Sequence, residues 1–231
     1  MIPAVSIITT SFNSASTIYD TIKSVNSQSY PNIEHILVDG LSTDNTVHIF
    51  VDESQYKSHV VSEKDSGIYN AMNKGLKLAK GEIIFILNSD DVFYDSNVVR
   101  DCVEFFDKYA STDLIYGSIQ IVDKIHLKRI KRVWNPGNFI RGSFKKSWHP
   151  PHPGVVVKRD VYERIGVFNE SLTIAADYDW LLSAFEVHKV KTRLFERVIV
   201  SQREGGASMS FKGKIIGNME LWRSIKNNGI N

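Results

Sequence analysis

Short, strongly apolar runs alternate with longer stretches of helical periodicity through the first half of the chain, and each apolar run ends in a cluster of Asp, Asn, Ser, Thr and Gly. That alternation constrains the fold more than any other feature. Apolar runs without alternating polar residues suit strands covered on both faces, and strands separated by helices suit a mostly parallel sheet of the α/β class. The predicted strands are Val5 to Thr10, Ile33 to Asp39, His59 to Ser62, Ile83 to Asn88 and Leu114 to Val122. A first helix, capped by Ser14 or Ser16, turns Ile18, Ile22 and Val25 inward; a second, from about Thr43, buries Val47, Phe50 and Val51. A third sets Ile68, Met72, Leu76 and Ala79 at helical spacing and ends at Gly81, and a fourth starts near Asp95. The second half predicts a strand in Gly154 to Lys158, a short helix from Asp160, a turn at Asn169 to Leu172, a longer helix from Asp177 to Val187 and a strand near Leu194 to Ser201. A closing helix, Phe211 to Asn227, places Ile215, Met219, Trp222 and Ile225 near one face, as core or dimer-interface residues.

The 231 residues are 42% hydrophobic and 23% charged, which suits one globular domain and excludes disorder as the main state. The longest apolar run, Ile83 to Leu87, falls short of the ~18 residues that a spanning helix needs. The N-terminus lacks the basic region and cleavage site of a secretory signal. The expected location is therefore cytoplasmic, either soluble or peripheral at the cytoplasmic face of the inner membrane. Cys102, the single cysteine, rules out an intramolecular disulfide and a Cys-based zinc site, and reads as a small buried apolar residue.

A net charge of +2, from 28 Lys and Arg against 26 Asp and Glu, does not announce a nucleic-acid binder. Basicity is local instead. Between Lys124 and Trp148 stand Lys124, Lys128, Arg129, Lys131, Arg132, Arg141, Lys145 and Lys146, with no Asp or Glu. Trp134, Phe139, Phe144 and Trp148 are interleaved with them. Stacking platforms for nucleic acid, an anionic membrane surface and a solvated loop are the competing readings, and the membrane one, shared with the C-terminal helix, is preferred.

The polar strand ends converge where open parallel sheets form ligand crevices. The sharpest is Asn88-Ser89-Asp90-Asp91, whose adjacent carboxylates repel one another and suit a hard divalent cation, Mn2+ or Mg2+, completed by substrate phosphates. Trp148-His149-Pro150-Pro151-His152-Pro153-Gly154 carries two His at i, i+3, but zinc finds no acidic or Cys partner nearby.

Taken together, the motifs resemble the family-2 glycosyltransferases, of the glycosyltransferase A fold, from Val5 to about Ser208. The resemblance is carried by Ser6-Ile7-Ile8-Thr9-Thr10-Ser11-Phe12-Asn13, by Val38-Asp39-Gly40-Leu41-Ser42-Thr43-Asp44-Asn45-Thr46 and by Glu63-Lys64-Asp65-Ser66-Gly67-Ile68-Tyr69-Asn70-Ala71-Met72-Asn73-Lys74-Gly75. Ala79-Lys80-Gly81-Glu82 and Leu87-Asn88-Ser89-Asp90-Asp91 complete it. The third and last of these are similar to the branch that builds bacterial surface polysaccharides. The resemblance implies a single domain: a Rossmann-like nucleotide-sugar-binding half (1–123), an acceptor-side catalytic half (124–210) and a C-terminal helix (211–231).

It also implies roles. Asp39 contacts the nucleotide base, which Thr9 and Phe12 frame; Asp65 lies near the nucleotide and donor sugar. Asp91 is the preferred direct metal ligand, with Asp90 nearer the ribose or a bound water. Asn88 and Ala176 depart from the family pattern, each removing a carboxylate. In Ala175-Ala176-Asp177-Tyr178-Asp179-Trp180, Asp177 aligns with the base that accepts the acceptor hydroxyl's proton in an inverting transfer. His152, Asp179 and Arg203 are acceptor-side or phosphate candidates, and Gln202 to Ser208 looks like the family's late loop over the diphosphate. The partners implied are a nucleotide-sugar donor, with UDP favoured, and a lipid-linked or oligosaccharide acceptor; a homodimer is left open and no nucleic acid is expected.

The rival enzymes lack their motifs. No Gly-rich basic loop follows the first strand, as a sugar-phosphate nucleotidyltransferase requires, and neither a dinucleotide fingerprint nor a Walker loop occurs. A non-catalytic nucleotide-sugar binder or inactive partner subunit remains the alternative from another class.

Overall fold

In the computed structural model, which describes residues 4–206 and 211–230, nine strands share one sheet. They are β1 (Val5–Ser11), β2 (Ile33–Asp39), β3 (Lys57–Ser62), β4 (Ile83–Ile86), β5 (Val92–Phe93), β6 (Leu114–Val122), β7 (Ile130–Trp134), β8 (Val155–Lys158) and β9 (Thr192–Arg203). The order is β3-β2-β1-β4-β8-β6-β9-β5, with β7 paired to β6 off that path. The β3-β2-β1-β4 portion is all parallel, and β1 and β2 are buried along their whole length, polar Ser6, Glu34 and His35 included. β8 enters antiparallel between β4 and β6, so strands of the second half continue the sheet of the first.

Seven helices cover the sheet: α1 (Ile18–Asn26), α2 (Thr46–Glu53), α3 (Ile68–Leu78), α4 (Val98–Lys108), α5 (Arg159–Ile165), α6 (Ala176–Leu182) and α7 (Phe211–Asn227). A π-helical turn, Ser183–Val187, extends α6 and accounts for the longer predicted helix. One core joins Ile8, Ile36 and Ile84 of the sheet to Met72 and Leu76 of α3, Val161 of α5 and Leu181 of α6. The opposite face packs Ile7, Phe85 and Ile115 against Cys102 and Phe106 of α4, and Leu37 against Ile18, Ile22 and Phe50 of α1 and α2. Cys102 is fully buried, as expected.

Departures from the predicted elements have local causes. The helix expected from Thr43 starts at Thr46, because Asn13 Oδ1 accepts the Thr43 N–H (2.9 Å) and Asp44 Oδ1 the Thr46 N–H (3.0 Å), holding a turn. So short a helix buries a narrow stripe, and Val51 is 60% exposed. α1 begins after Thr17 without a side-chain cap; the Ser14 carbonyl instead accepts the Thr17 and Ile18 N–H groups. Ile68, the first residue of α3, is exposed.

Gly81 does not end α3, which stops at Leu78. Its role is contact. A Cβ there would stand 2.5 Å from the Ser6 nitrogen and 2.6 Å from the Val5 carbonyl carbon. The Gly81 N–H donates to Ser6 Oγ (2.8 Å) and to the buried Glu34 carboxylate (3.1 Å).

The basic stretch folds its aromatic residues inward. Phe144 is wholly buried, and Phe139 and Trp148 pack with it against Phe185, while Tyr116 meets Trp148 and Phe185. The stacking platform that an aromatic–basic pattern predicts is therefore absent from the surface among the described residues. What reaches solvent there is Lys and Arg with Ile125, Ile130, Val133 and Ile140. The apolar row of α7 is also placed otherwise than in the core: Ile215, Met219 and Trp222 are exposed. No helix of the described residues is long and apolar enough to cross a membrane.

Gly81→Ala forces a methyl into the β1 backbone and is expected to cost about 2–4 kcal/mol, read as a lower urea midpoint with an unchanged m-value.

Candidate active site

Strand order reverses between β1 and β4, and the crevice beyond their carboxyl ends is where a doubly wound sheet binds ligands. A cavity of about 650 Å³ opens there. Thr10, Ser11 and Phe12 wall it from β1, Asn88, Ser89 and Asp90 from β4, Tyr69 from α3 and Asp177 from α6. Asp65, His152 and Arg203 also reach its surface. Of the predicted site residues, Phe12, Asp65, Asp90, His152, Asp177 and Arg203 thus meet in one cavity.

Asp39, Thr9, Asp91 and Asp179 do not. Asp39 is wholly buried at the end of β2, where its carboxylate accepts hydrogen bonds from Ser11 Oγ (2.8 Å), Ser62 Oγ (2.7 Å) and both the N–H (2.8 Å) and Oγ (2.5 Å) of Ser42. Burial pushes its carboxyl upward, but hydrogen bonds from Ser42, Ser62 and Ser11 outweigh that and hold it below the usual carboxylate range. With both oxygens occupied and no exposed surface, Asp39 fastens strand ends. Thr9 lies deeper still, fully buried with Oγ1 3.0 Å from His35 Nε2, and Thr10 and Ser11 take the wall position expected of it. Phe12 stands 63% exposed at the rim, within reach of a planar ligand.

Gly40 follows Asp39 and lets Asp65 approach, since a Cβ there would lie 2.7 Å from Asp65 Oδ2. Asp65 Oδ1 accepts the Gly67 N–H (3.0 Å), aligning the turn that enters α3.

The acidic pair at the end of β4 is divided by its backbone. Asp90 lines the cavity, while Asp91 is 1% exposed and set behind the wall. The reason is the turn itself: Asp91 Oδ1 accepts the Arg203 N–H (3.2 Å) and its carbonyl accepts Thr21 Oγ1 (2.7 Å), drawing the residue inward. Asp91 Oδ2 is buried with no hydrogen-bond partner. Burial, reinforced by the neighbouring Asp90 charge, drives the Asp91 carboxyl well above its ordinary value, and burial raises Asp90 too. Two crowded carboxylates with an orphaned oxygen suit a cation. Among the described residues no group of three or more His, Cys, Asp and Glu could close a metal site, so the donors fit Mn2+ or Mg2+ sharing its ligands with phosphates and water. Asn88 is tied down as well, its Oδ1 accepting the Thr10 hydroxyl (3.1 Å).

Across the cavity, Asp177 Oδ1 accepts the Tyr69 hydroxyl (3.0 Å) and the Tyr178 N–H (2.8 Å). Asp177 Oδ2 carries no hydrogen bond among the described residues. Tyr69 also donates to the Ile174 carbonyl (2.6 Å). Burial first, then the Asp177 charge, pushes the Tyr69 phenol far up, so it stays protonated. His152 packs on Phe168 (5.4 Å between ring centroids) and His149 on Tyr178 (5.4 Å); burial lowers both imidazoles against the opposing pull of Asp177, favouring the neutral form. Ala176 is buried in the core, leaving Asp177 the only acid of that pair.

Asp179 lies off the cavity wall and accepts from Asn228 Nδ2 (3.1 Å), just beyond the end of α7. Arg203 sits on the wall with its guanidinium ion-paired to Asp20 and donating to the Lys124 carbonyl (3.2 Å), which engages both terminal nitrogens. Ala207 and Ser208 of the expected late loop lie outside the described residues.

The sequence profile of the family described as Glycosyl transferase family 2 matches residues 6–166. The chain belongs to that family. A PGL/p-HBAD biosynthesis glycosyltransferase from Mycobacterium bovis is 28% identical over 217 residues, covering 92% of this chain and 82% of the relative. An uncharacterized glycosyltransferase from Mycobacterium tuberculosis is 32% identical over 184 residues, covering 79% and 69%. Among solved structures, Staphylococcus aureus TarS superposes with a TM-score of 0.74 at 18% identity, over 98% of this chain and 40% of that one. The mannosyltransferase PcManGT from Pyrobaculum calidifontis, in complex with GDP-Man and Mn2+, gives 0.70 at 19%, over 100% and 65%. This chain therefore spans less than two thirds of those two proteins, whose likeness is one of fold, and that fold is a single glycosyltransferase A domain.

Two features of this family-2 glycosyltransferase escaped the sequence reading. Tyr69, Asn70 and Asn73 of α3 hold the opposite wall: Asn73 donates to the Phe168 carbonyl (2.9 Å) and accepts its N–H (3.0 Å), and both Asn side chains donate to Glu170 (2.8 Å each). They stand in the Gly67 to Gly75 motif, where their spacing on one helical face was the available signal. Glu220 of α7 is buried and accepts the N–H groups of Thr173 (2.8 Å), Ile174 (2.8 Å) and Ala175 (2.9 Å), the segment that enters α6. Its signal was being the only acid in a basic helix.

Glu220→Ala leaves three backbone donors without their acceptor and is expected to cost about 2–4 kcal/mol in chemical denaturation. The raised carboxyls of Asp90 and Asp91 mean that the folded state holds protons more tightly than the unfolded one, so this pair subtracts stability as pH rises from the ordinary value of 3.8 through the raised folded values. Mn2+ with a nucleoside diphosphate should accordingly raise Tm more at neutral than at acid pH, and Asp90→Asn should remove most of that increment in a thermal-shift titration.

Proposed function

We propose that this glycosyltransferase moves a hexosyl or N-acetylhexosaminyl group from a nucleotide-sugar donor, UDP-linked by preference, to a hydroxyl of a lipid-linked or polysaccharide acceptor, with inversion, in bacterial surface-glycan assembly. Residues 1–123 would bind the donor, residues 124–210 the acceptor, and the reaction would take place on the cytoplasmic side of the membrane. The observation that carries this reading is that Asp177, whose Oδ2 takes no hydrogen bond among the described residues, lines the same cavity as Asp90.

The acceptor hydroxyl approaches Asp177 Oδ2, while Tyr69 and the Tyr178 N–H fix the carboxylate through Oδ1. Oxygen–carbon bond formation at the anomeric centre is matched by cleavage of the bond to the diphosphate, and the proton passes to Asp177. One displacement on the face opposite the leaving group inverts the centre. A divalent cation held by Asp91 through its unpartnered oxygen, with Asp90 beside it at the cavity wall, would supply positive charge to the departing diphosphate. His152, neutral and half-buried beside Phe168, shapes the acceptor side of the cavity. Phe12 and Asp65 border the nucleotide and sugar. Support for the donor class comes from the fold neighbours, TarS in complex with UDP-GlcNAc and PcManGT with GDP-Man and Mn2+.

Asp177→Asn should lower kcat by about 10²–10⁴ while UDP affinity stays within about twofold, measured by product formation and by calorimetry with Mn2+ across UDP-, GDP- and TDP-sugars. Undiminished turnover by the variant would remove Asp177 as the base.

A further inference from the structure

α7 is built inside out. At 100° per residue, Gly213, Gly217, Glu220 and Ser224 fall within an arc of about 60°, and these four are its buried residues. Small side chains let the helix lie close to the body: a Cβ on Gly217 would meet Ile174 Cγ2 at 3.2 Å. On the opposite side, Phe211, Trp222, Ile215 and Met219 fall within about 80°, with exposures of 82%, 73%, 49% and 61%. A globular helix normally buries that row.

The charges around the row share one sign. Lys212 and Arg223 flank it on one side and Lys214 on the other, while Lys226 lies within its arc near the C-terminal end; all four are exposed. The single acid of the helix, Glu220, is turned inward on backbone N–H groups. An apolar stripe with large aromatics and a basic border, about 25 Å long for 17 residues, matches the requirements of a helix lying in the plane of a lipid interface.

We infer that the outer face of α7 is a docking surface for an anionic lipid bilayer. Phe211, Ile215, Met219 and Trp222 enter the acyl boundary, and the four basic side chains meet phosphate headgroups. A second copy of the chain fits this face poorly, because symmetric pairing would set one basic border against another. The basic stretch 124–148 fits the role less well than α7, since its large aromatics are spent on the core. Docking requires no particular reaction in the cavity. It places the lipid plane on one side of α7 and the Thr173 to Ala175 wall on the other, so a lipid-linked acceptor would be presented close to the site.

Sedimentation of the full chain with phosphatidylcholine vesicles, with and without phosphatidylglycerol, tests this. Binding is expected to anionic vesicles at low salt, to weaken with added salt, and to be accompanied by a blue shift of Trp222 emission that Trp222→Phe loses while still binding. The double variant Met219→Asp, Trp222→Asp should lower partitioning at least roughly tenfold at unchanged Tm, and Lys214→Ser roughly fivefold. Absence of binding to anionic vesicles at low salt would overturn the assignment. So would equal binding by the double variant, which would move the contact to another surface, or a dimer in sedimentation equilibrium that the same double substitution dissolves.

Discussion

A single buried carboxylate ties three parallel strands together at the edge where the cavity opens. Asp39 takes hydroxyl hydrogens from Ser11 at the end of β1, from Ser42 in the turn after β2 and from Ser62 at the end of β3. Parallel strands deliver all their carboxyl ends to one edge, where backbone pairing stops and the chain must splay into turns. An ionised acceptor with four donors fixes that splay more firmly than neutral pairs would. The positions of Thr10, Ser11 and Phe12 against Asp65, and hence one side of the cavity, follow from that knot.

The opposite side is held differently, by two helices that approach from far along the chain. α3 rides low on β1 because Gly75 leaves no room for even a methyl against Ile8, and this closeness brings Tyr69, Asn70 and Asn73 to the 168–177 segment. α7 takes the same segment from behind through Glu220. One wall is therefore a strand-end feature and the other a suspended loop, with Asp90 on the first and Asp177 on the second.

Most of the architecture was legible because it rests on local pattern. β2 and β6 match their predicted bounds to the residue, apolar side chains dominating both despite the polar ones among them, and the position of Asp177 at the start of a late helix followed from its motif. What was not legible depends on which way a side chain turns at a strand end. Asp90 and Asp91 are neighbours in sequence, yet a backbone donor from Arg203, 112 residues further on, draws one inward and leaves the other at the cavity. Asp39 was read as a ligand contact from its family motif, whereas the serines that bind it, Ser11 and Ser62 at two strand ends and Ser42 in the turn after β2, come together only in the fold. α7 misled for the opposite reason: its apolar periodicity is real, but Gly213, Gly217, Glu220 and Ser224 supply its buried face, with Leu221 and Ile225 packed beside them.

Tyr69 carries one proton and faces two acceptors. Its hydroxyl lies 2.6 Å from the Ile174 carbonyl and 3.0 Å from Asp177 Oδ1, and a single hydrogen cannot make a full bond to both. The anchoring of the suspended wall and the hydrogen bonding of the acid it carries therefore compete for the same hydrogen. A change of charge on Asp177 is felt at the Ile174 carbonyl, and a shift of the wall is felt at Asp177, through one rotatable O–H.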